Sequence, residues 1–212
     1  MGTYYGNNKN NVIEGSKHDD YIYGYKGDDY LYGDKGHDWL DGGKDHDWLE
    51  GGKGDDYLYG DKGDDYLYGD KGHDWLDGGK GHDNLYGGKG DDYLYGDKGH
   101  DWLDGGKGDD YLDGGKGDDY LYGGKGDDYL YGGKGADTFS FYELDEGIDT
   151  IADFNWQEGD IIEIDSYGFG ASSTHEFEYD YHTGALSFDG TQFATLENVP
   201  NDFATDLDIV LF

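Results

Sequence analysis

The sequence predicts an all-β fold, a solenoid of short parallel strands that is closed at its C-terminal end by a β cap. Three observations predict this class. A nine-residue period runs through 15 consecutive units, from Gly6 to Ser140. One aliphatic residue recurs at the same place in almost every unit. The 42 glycines largely follow the same period, which favours a repeat structure over a flexible linker.

Each unit divides into a turn and a strand. In the unit GGKGDDYLY, residues 87–95, position 1 is Gly, position 3 is Lys, position 6 is Asp and position 8 is Leu. Positions 1–6 are predicted to form a turn, because repeated Gly permits positive φ angles. Positions 7–9 are predicted to form a strand, with position 8 facing inward and positions 7 and 9 facing outward. Two units then make one coil, so units n and n+2 pair in parallel about 4.8 Å apart.

The predicted interior consists of two rows of leucine. Burial of each Leu contributes about 2 kcal/mol, whereas ordering the backbone costs about 1–2 kcal/mol for every residue. Leucine alone therefore cannot fold nine residues per unit, and another interaction must hold the turns. The rows are Leu31, Leu49, Leu67, Leu85, Leu103 and Leu121 on one sheet, and Leu40, Leu58, Leu76, Leu94, Leu112 and Leu130 on the other.

The charge balance indicates that a cation supplies this interaction. Asp and Glu number 50 against 15 Lys and Arg, for a formal net charge of -35. Such a chain is not expected to bind nucleic acid, and without metal it should repel itself and stay unfolded. The absence of Cys excludes disulfides and thiolate metal sites. No apolar run reaches the roughly 18 residues of a membrane span, and the N-terminal residues do not resemble a secretory leader.

The repeat resembles the GGxGxDxUx nonapeptide of RTX (repeats-in-toxin) proteins over residues 6–140. The resemblance implies a right-handed parallel β-roll in which Ca²⁺ lies between units n and n+2, held by Asp carboxylates and loop carbonyls. Such an all-oxygen shell suits Ca²⁺ better than Mg²⁺. Fifteen units allow about thirteen shared sites, which together cancel roughly 26 negative charges. The implied ligands are Asp20, Asp29, Asp38, Asp47, Asp56, Asp65, Asp74, Asp83, Asp92, Asp101, Asp110, Asp119, Asp128 and Asp137.

Some units depart from the pattern. Lys9 and Asn11 in the first unit are expected to weaken or abolish a site there, and His18 and Asp45 replace the loop glycine, which should alter their turns. The position-3 lysines are interpreted as charge compensation. Position 5 is often His, interpreted as a solvent-facing turn residue because the spacings of known zinc motifs are missing. These residues are His37, His46, His73, His82 and His100.

The outward positions 7 and 9 are rich in Tyr and Trp, as in Tyr57 and Tyr59 or Trp75. Three interpretations remain open. The rings stabilise the sheet through cross-strand pairs, they pack rolls together into fibres or layers, or they bind the flat faces of a polysaccharide. Ice binding is disfavoured, because regular rows of Thr or Asn are missing.

The period stops after Ser140, and residues 141–212 have ordinary composition. Strands are predicted around 138–141, 149–154 and 160–165, with a hairpin that joins 176–181 to 185–188. The stretch that begins GADTFSFYELDEG resembles the domain that closes serralysin-type β-rolls, as capping of a solenoid requires. The final residues, Asp208 followed by Ile209–Phe212, resemble the uncleaved signal of type I secretion, and an ordinary last strand is the alternative.

The sequence thus predicts a short start (1–5), an RTX roll (6–140) and a capping and secretion-signal region (141–212). We expect a secreted, extracellular protein that folds on external Ca²⁺ and has a structural or assembly role at the cell surface, in a matrix or in fibres. The expected partners are calcium ions, the type I secretion machinery and further copies of the chain. A calcium-dependent carbohydrate-binding module is the alternative function. No enzymatic activity is expected, because no Ser/His/Asp set, zincin motif or phosphate loop is present.

Overall fold

A computed structural model describes residues 1–198 and 208–212. In these residues the chain forms 22 strands, one short helix, α1 (Ser166–Phe169), and one 3₁₀ turn (Thr174–Glu176). The strands are β1 (Gly2–Asn7), β2 (Val12–Glu14), β3 (Asp20–Tyr25), β4 (Tyr30–Lys35), β5 (Trp39–Lys44), β6 (Trp48–Lys53), β7 (Tyr57–Lys62), β8 (Tyr66–Lys71), β9 (Trp75–Lys80), β10 (Asn84–Lys89), β11 (Tyr93–Lys98), β12 (Trp102–Lys107), β13 (Tyr111–Lys116), β14 (Tyr120–Lys125), β15 (Tyr129–Lys134), β16 (Thr138–Phe141), β17 (Asp149–Ile151), β18 (Ile161–Ile164), β19 (Phe177–Tyr179), β20 (Ala185–Phe188), β21 (Thr191–Leu196) and β22 (Ile209–Leu211).

The strands form two sheets, and successive strands alternate between them. Along the repeats, sheet A contains the odd-numbered strands from β1 to β17, and sheet B contains the even-numbered strands from β2 to β18. Neighbours within a sheet are parallel and 18 residues apart, as in the pairing of Leu49 with Leu67. The predicted parallel β-roll, with two units to the coil, is therefore confirmed.

The strands are longer than the sequence predicts. A repeat strand such as β8 runs from position 7 of one unit to position 3 of the next, so it has six residues. The prediction of a six-residue turn is wrong, and the turn occupies only positions 4–6. The physical reason is that the parallel ladder continues through the first residues of the next unit, where Gly52 pairs with Asp70 and Lys53 with Lys71. Gly at position 1 is thus a buried strand residue.

The core is the predicted pair of leucine rows. Every Leu from Leu31 to Leu130 at position 8 is 0% exposed, and each row lies in the sheet that the period assigns to it. Positions 7 and 9 face outward, where Tyr57 remains 47% exposed. The core is therefore one residue wide in each strand, which leaves the turns dependent on another source of stability.

Beyond Ser140 the nine-residue period ends but the parallel stacking continues. Sheet A goes on through β17 to β21, and sheet B through β18 to β22. The predicted hairpin is confirmed in its pairing, since β19 and β20 are antiparallel, although its first strand is shorter than predicted. β20 also pairs antiparallel with β21, so these strands end sheet A. The boundary at residue 140 remains a prediction.

The cap has its own aromatic core. Phe169 on α1 packs against Phe177, Phe188 and Phe193, with ring centroids between 5.1 and 6.1 Å apart. The predicted secretion signal forms β22 over its apolar residues, and its role in export remains a prediction. None of the helices in the described part of the chain is long and apolar enough to cross a membrane.

Candidate metal centre

The position-6 aspartates are buried on the two edges of the roll, where the chain turns from one sheet to the other. All fourteen, from Asp20 to Asp137, have exposures of 3% or less. Buried carboxylates are rare in proteins unless they are paired or bind a metal. The structure therefore places the sequence-predicted ligands together in two rows, with one aspartate per coil at each edge.

One oxygen of each carboxylate is used in a ladder of hydrogen bonds. The amide of Asp56 donates to Oδ1 of Asp74 at 2.8 Å, one coil further along. Twelve such links, of 2.7–2.9 Å, run from the Asp20 amide to Oδ1 of Asp137. In each link the carboxylate comes from the coil nearer the C-terminus. The turn amides of one coil therefore depend on the following coil.

The second oxygen of most of these carboxylates is buried without a hydrogen-bond partner within residues 1–198 and 208–212. A buried polar atom without a partner costs about 1–3 kcal/mol, and a charged one costs more. Because the same unpaired atom recurs in successive coils, these oxygens form a regular row of positions suited to bind a cation. The atoms are Oδ2 of Asp29, Asp38, Asp47, Asp56, Asp65, Asp74, Asp83, Asp92, Asp101, Asp110, Asp119 and Asp128.

Other oxygens approach these unpaired atoms. A Cβ placed on Gly87 would lie 2.6 Å from Oδ2 of Asp92 and 2.7 Å from the carbonyl oxygen of Gly105. The carboxylate oxygen of Asp92 and the carbonyl oxygen of Gly105, which belongs to the next coil, thus both lie close to Gly87. The space between them is free because Gly87 has no side chain. Carboxylate and carbonyl oxygens are the ligands that Ca²⁺ takes in proteins. The donor set therefore fits a hard cation.

Burial alters the charge state of the carboxylates. It raises the pKa of Asp74 from 3.8 to about 8, against the effect of the hydrogen bond from the Asp56 amide, which lowers it. The pKa values of Asp47, Asp101 and Asp110 also rise to about 8 for the same main reason. Without a cation the ionised ladder is therefore unfavourable at neutral pH. A bound divalent cation stabilises the ionised form.

The ladder continues into the cap through two residues that the sequence analysis missed. The Asp128 amide donates to Oδ1 of Asp149 at 3.1 Å, and the Asp137 amide donates to Oδ1 of Asp160 at 2.9 Å. These links span 21 and 23 residues, so the fixed period does not reveal them. A local signal was present, since Asp149 begins β17 and Asp160 directly precedes β18, and each closely follows a glycine, Gly147 or Gly159.

The position-5 residues form a second ladder in the opposite direction. Nδ1 of His73 accepts the amide of Asp91 at 2.8 Å, and Oδ1 of Asp55 accepts the amide of His73 at 3.0 Å. Here each side chain supports the coil that follows it. The imidazoles of His37, His46, His73 and His100 are more than half exposed, as predicted. Their role in satisfying turn amides was not anticipated.

The first unit lacks the position-6 carboxylate. Asn11 stands at position 6, and its Oδ1 accepts the amide of Asn7 at 2.7 Å. Its own amide donates to Oδ1 of Asp29 at 2.7 Å. The hydrogen-bond pattern survives without the charge. Asp45, which replaces a loop glycine, has φ +77° and accepts the Gly27 amide through Oδ2 at 3.0 Å.

The outward aromatic rings stack on one another along each sheet. Trp75 lies 5.8 Å from Tyr93 and 4.7 Å from Tyr95, measured between ring centroids, and Trp102 lies 4.0 Å from Tyr120. Such pairs add about 0.5–1.5 kcal/mol each. This arrangement favours the interpretation that the rings stabilise the sheets, since many ring faces are covered by neighbouring rings.

The carboxylates alone do not complete a coordination shell. Across the described ranges, the structure contains no group of three or more His, Cys, Asp or Glu side chains arranged to hold a metal ion. The sequence resemblance implies that backbone carbonyl oxygens of the turns contribute further ligands.

Comparison with known proteins agrees with this arrangement. The family model described as RTX calcium-binding nonapeptide repeat (4 copies) matches residues 5–40, 41–76, 68–103, 77–112 and 104–139, which is more than half of the chain. The repeats of this family bind Ca²⁺. No curated protein shows significant similarity to the full chain.

Among solved structures, the extracellular lipase LipA from Serratia marcescens is similar, with 21% sequence identity and a TM-score of 0.31. The match covers 100% of this chain but only 40% of the lipase. The chain thus spans less than half the length of that protein.

Proposed function

The chain belongs to the family of RTX calcium-binding nonapeptide repeat proteins, and on this premise we propose that it is a secreted roll that folds on extracellular Ca²⁺. In this proposal the roll has a structural, non-enzymatic role at the cell surface, in a matrix or in fibres. The observation that carries the proposal is the row of buried Asp Oδ2 atoms without partners. Burial of a carboxylate oxygen without a hydrogen-bond partner costs free energy in every coil, and a fold that repeats this burial requires a cation to offset the cost.

The residues proposed to hold Ca²⁺ are the fourteen position-6 aspartates, extended by Asp149 and Asp160. When bound, Ca²⁺ supplies positive charge between coils and so couples the ion's binding free energy to folding. The folded chain places one carboxylate per coil at each edge of the roll and holds backbone carbonyl oxygens near that carboxylate. Glycine at the close approaches leaves room for those oxygens, as at Gly87.

The direction of the ladder supports folding that begins at the cap. Each position-6 amide is satisfied by the carboxylate of the next coil toward the C-terminus, and the last two are satisfied by the cap residues Asp149 and Asp160. A coil can therefore add to a formed C-terminal end with its acceptors already in place. We expect the cap to template the first coil and folding to proceed toward the N-terminus.

Export is consistent with this linkage. Where free Ca²⁺ is scarce, the charge of -35 keeps the chain extended, and an extended chain is suited to passage through a secretion channel. Where Ca²⁺ is plentiful, mass action favours the roll. The segment Asp208–Phe212 is the proposed type I secretion signal.

The test is a titration of the purified chain with Ca²⁺, followed by far-ultraviolet circular dichroism and hydrodynamic radius. Addition of Ca²⁺ should produce β structure and compaction, chelator should reverse both, and Mg²⁺ at equal concentration should not substitute. A compact β roll at neutral pH in chelator would contradict the proposal.

Deletion of residues 141–212 tests the role of the cap. The truncated repeats should lose most of the calcium-induced β signal. Unimpaired folding of the truncated chain would show that the cap is not needed as a template, while leaving calcium-driven folding itself intact.

A further inference from the structure

Trp102, on strand β12 of sheet B, lacks a contact that the other tryptophans of the repeats share. Each of those tryptophans lies 4.7 Å, between ring centroids, from the position-9 tyrosine of the following coil. They are Trp39, Trp48 and Trp75. The equivalent tyrosine for Trp102 is Tyr122, and within the described part of the chain these two rings do not stack. Trp102 stacks instead on the position-7 residue Tyr120, at 4.0 Å.

The cap holds Tyr122 in this different position. Its hydroxyl donates a hydrogen bond to Oε1 of Glu146, and its ring contacts Tyr142 edge to face, with centroids 4.7 Å apart. Oε2 of Glu146 accepts the amides of Tyr142 at 3.3 Å and of Glu143 at 3.1 Å. The Glu146 carbonyl also accepts the Gly126 amide at 2.7 Å. The loop 142–146 is therefore tied to the roll and to Tyr122.

A cleft of about 300 Å³ lies where the roll contacts this loop. Three aromatic residues and three acids line it, and no Lys, Arg or His occurs among the described residues of its lining. Its volume is at the lower end of the range for small-molecule sites. The lining residues are Trp102, Asp104, Tyr122, Tyr142, Glu143 and Glu146.

The same sheet contains a matched arrangement that the cap does not contact. The unit of Trp48 carries the acid Glu50 at position 9, as the unit of Trp102 carries Asp104. There, Trp48 is stacked on Tyr68 at 4.7 Å, so the two rings leave no space between them. The cleft beside Trp102 is therefore a feature of the junction with the cap.

The cleft carries negative charge that its own residues do not neutralise. Burial raises the pKa of Asp104 from 3.8 to about 6, and the nearby Glu146 carboxylate acts in the same direction. Within residues 1–198 and 208–212, the Asp104 side chain has no hydrogen bond or ion pair. Glu143 forms an ion pair with Lys125 at 3.8 Å, but both side chains are more than half exposed, so solvent weakens that pair.

The shape of the site favours an organic cation over a metal ion. In the described ranges no three His, Cys, Asp or Glu side chains are arranged to hold a metal, so the acids of the cleft do not converge on one point. Aromatic rings attract a cation over their faces, Trp most strongly, and quaternary ammonium groups are recognised in this way. Rings and dispersed carboxylates together suit a cation with an alkyl surface.

We propose that this cleft binds a small organic cation of the alkylammonium class. Trp102, Tyr122 and Tyr142 contact its alkyl groups, and the carboxylates of Asp104 and Glu146 balance its charge. The site goes beyond the proposed structural role and requires only that the roll is folded. A free cation suits the cleft better than the same ammonium on a zwitterionic lipid, since the lipid phosphate would approach Glu143 and Glu146.

Isothermal titration calorimetry of the full chain in millimolar Ca²⁺, with choline as the probe, tests the ligand class. Choline should bind at one site per chain. Its neutral isostere, in which carbon replaces nitrogen, should bind about tenfold more weakly, and equal binding of the two would overturn the cationic class. Co-sedimentation of the chain with phosphatidylcholine vesicles, without binding of free choline, would overturn the assignment to a small molecule.

Variants test the location. Asp104→Asn removes a charge from a side chain without hydrogen bonds and should weaken choline binding about fivefold. Tyr142→Leu removes a ring from the cleft and should weaken it similarly, with circular dichroism in Ca²⁺ showing that this variant folds. Glu50→Gln, at the equivalent position beside Trp48, is the matched control and should leave the affinity unchanged. Equal losses in Asp104→Asn and Glu50→Gln would indicate a general charge effect and overturn the site.

The outcomes distinguish this inference from the proposed function. A chain that folds with Ca²⁺ but does not bind choline overturns the ammonium site and leaves calcium-driven folding standing. A chain that does not fold with Ca²⁺ overturns both, because the cleft exists only where the cap loop contacts the folded roll.

Discussion

The amide of Asp137 donates to Oδ1 of Asp160 at 2.9 Å, and this hydrogen bond joins residues 23 apart where the links inside the repeats join residues 18 apart. Together with the link from Asp128 to Asp149, it carries the repeat ladder into a segment that has no repeat. The cap is therefore connected to the roll by the same interaction that connects one coil to the next.

The cap links should control folding of the whole roll. We expect Asp149→Ala/Asp160→Ala to raise the Ca²⁺ concentration at the midpoint of folding several-fold, because the last coils lose their acceptors. Circular dichroism during a Ca²⁺ titration measures this midpoint. Asp145→Ala, an exposed acid in the same segment, is the control for the change in charge. Equal midpoints for both variants would argue against the templating role.

The charge of a single ladder residue can be separated from its hydrogen bond. Asp56→Asn keeps an oxygen acceptor for the Asp38 amide but removes the negative charge. Because each position-6 Asp is proposed to serve the sites on both of its sides, we expect the bound calcium to fall by about two ions per chain. Equilibrium dialysis with metal analysis gives the count.

The neighbouring residue provides the matched control for this count. Asp55 is at position 5 and its side chain is about half exposed. Asp55→Asn should leave the number of bound ions unchanged. A similar loss in both variants would indicate a general effect of charge, in place of a specific site at position 6.

The metal-free roll should gain stability on acidification. Burial raises the pKa of Asp47 and Asp74 to about 8 in the folded state, from an ordinary 3.8. The folded chain thus binds protons that the unfolded chain has released, so this stability is fully present below about pH 3.8 and is lost as the pH rises to about 8. In chelator, β structure should increase from pH 8 to pH 5.5.

With Ca²⁺ the dependence should have the opposite sign, because protons compete with the cation for the same oxygens. The midpoint Ca²⁺ concentration should therefore be higher at pH 5.5 than at pH 8. An acid-induced loss of β structure in chelator would contradict the assigned burial of these carboxylates.

Close coil stacking favours glycine at position 4, where most units carry it. Gly72 has φ +139°, and a Cβ there would overlap the carbonyl oxygen of Gly54 in the preceding coil. Gly190 also has a positive φ, +74°, but a Cβ there meets nothing within 4 Å. Gly72→Ala should destabilise the calcium-loaded roll much more than Gly190→Ala, as measured by urea unfolding. Equal effects would mean that backbone strain alone matters.

Truncation of a leucine side chain in the core rows should strongly destabilise the roll. Leu76 is 0% exposed, and Leu76→Ala should lower the free energy of unfolding in Ca²⁺ by about 2–5 kcal/mol. Lys80→Ala, at the exposed end of the same strand, should change it by less than about 0.5 kcal/mol. A small effect of Leu76→Ala would show that calcium, and hardly the core, holds the coils.

The repeat and its direct consequences could be predicted from the amino-acid sequence. The nine-residue period fixed the parallel pairing at 18 residues, the assignment of each Leu to its sheet, and the two rows of position-6 aspartates. These features follow from local alternation and from a period that is the same in each unit, so no distant contact is needed to predict them. The expectation of calcium came from the acidic, oxygen-rich turns together with the resemblance to RTX repeats, which implied the position-6 aspartates as ligands.

Features that depend on contact between coils could not be predicted from the sequence and became visible in the folded chain. It showed that the strands extend through the position-1 glycine, because the backbone there pairs in parallel with the neighbouring coils. It showed that His73 accepts a turn amide, and that Asp149 and Asp160 complete the ladder across insertions that break the period. It also showed that β21 pairs with β17 on one side and with the predicted hairpin on the other, which is a long-range pairing that no local pattern encodes.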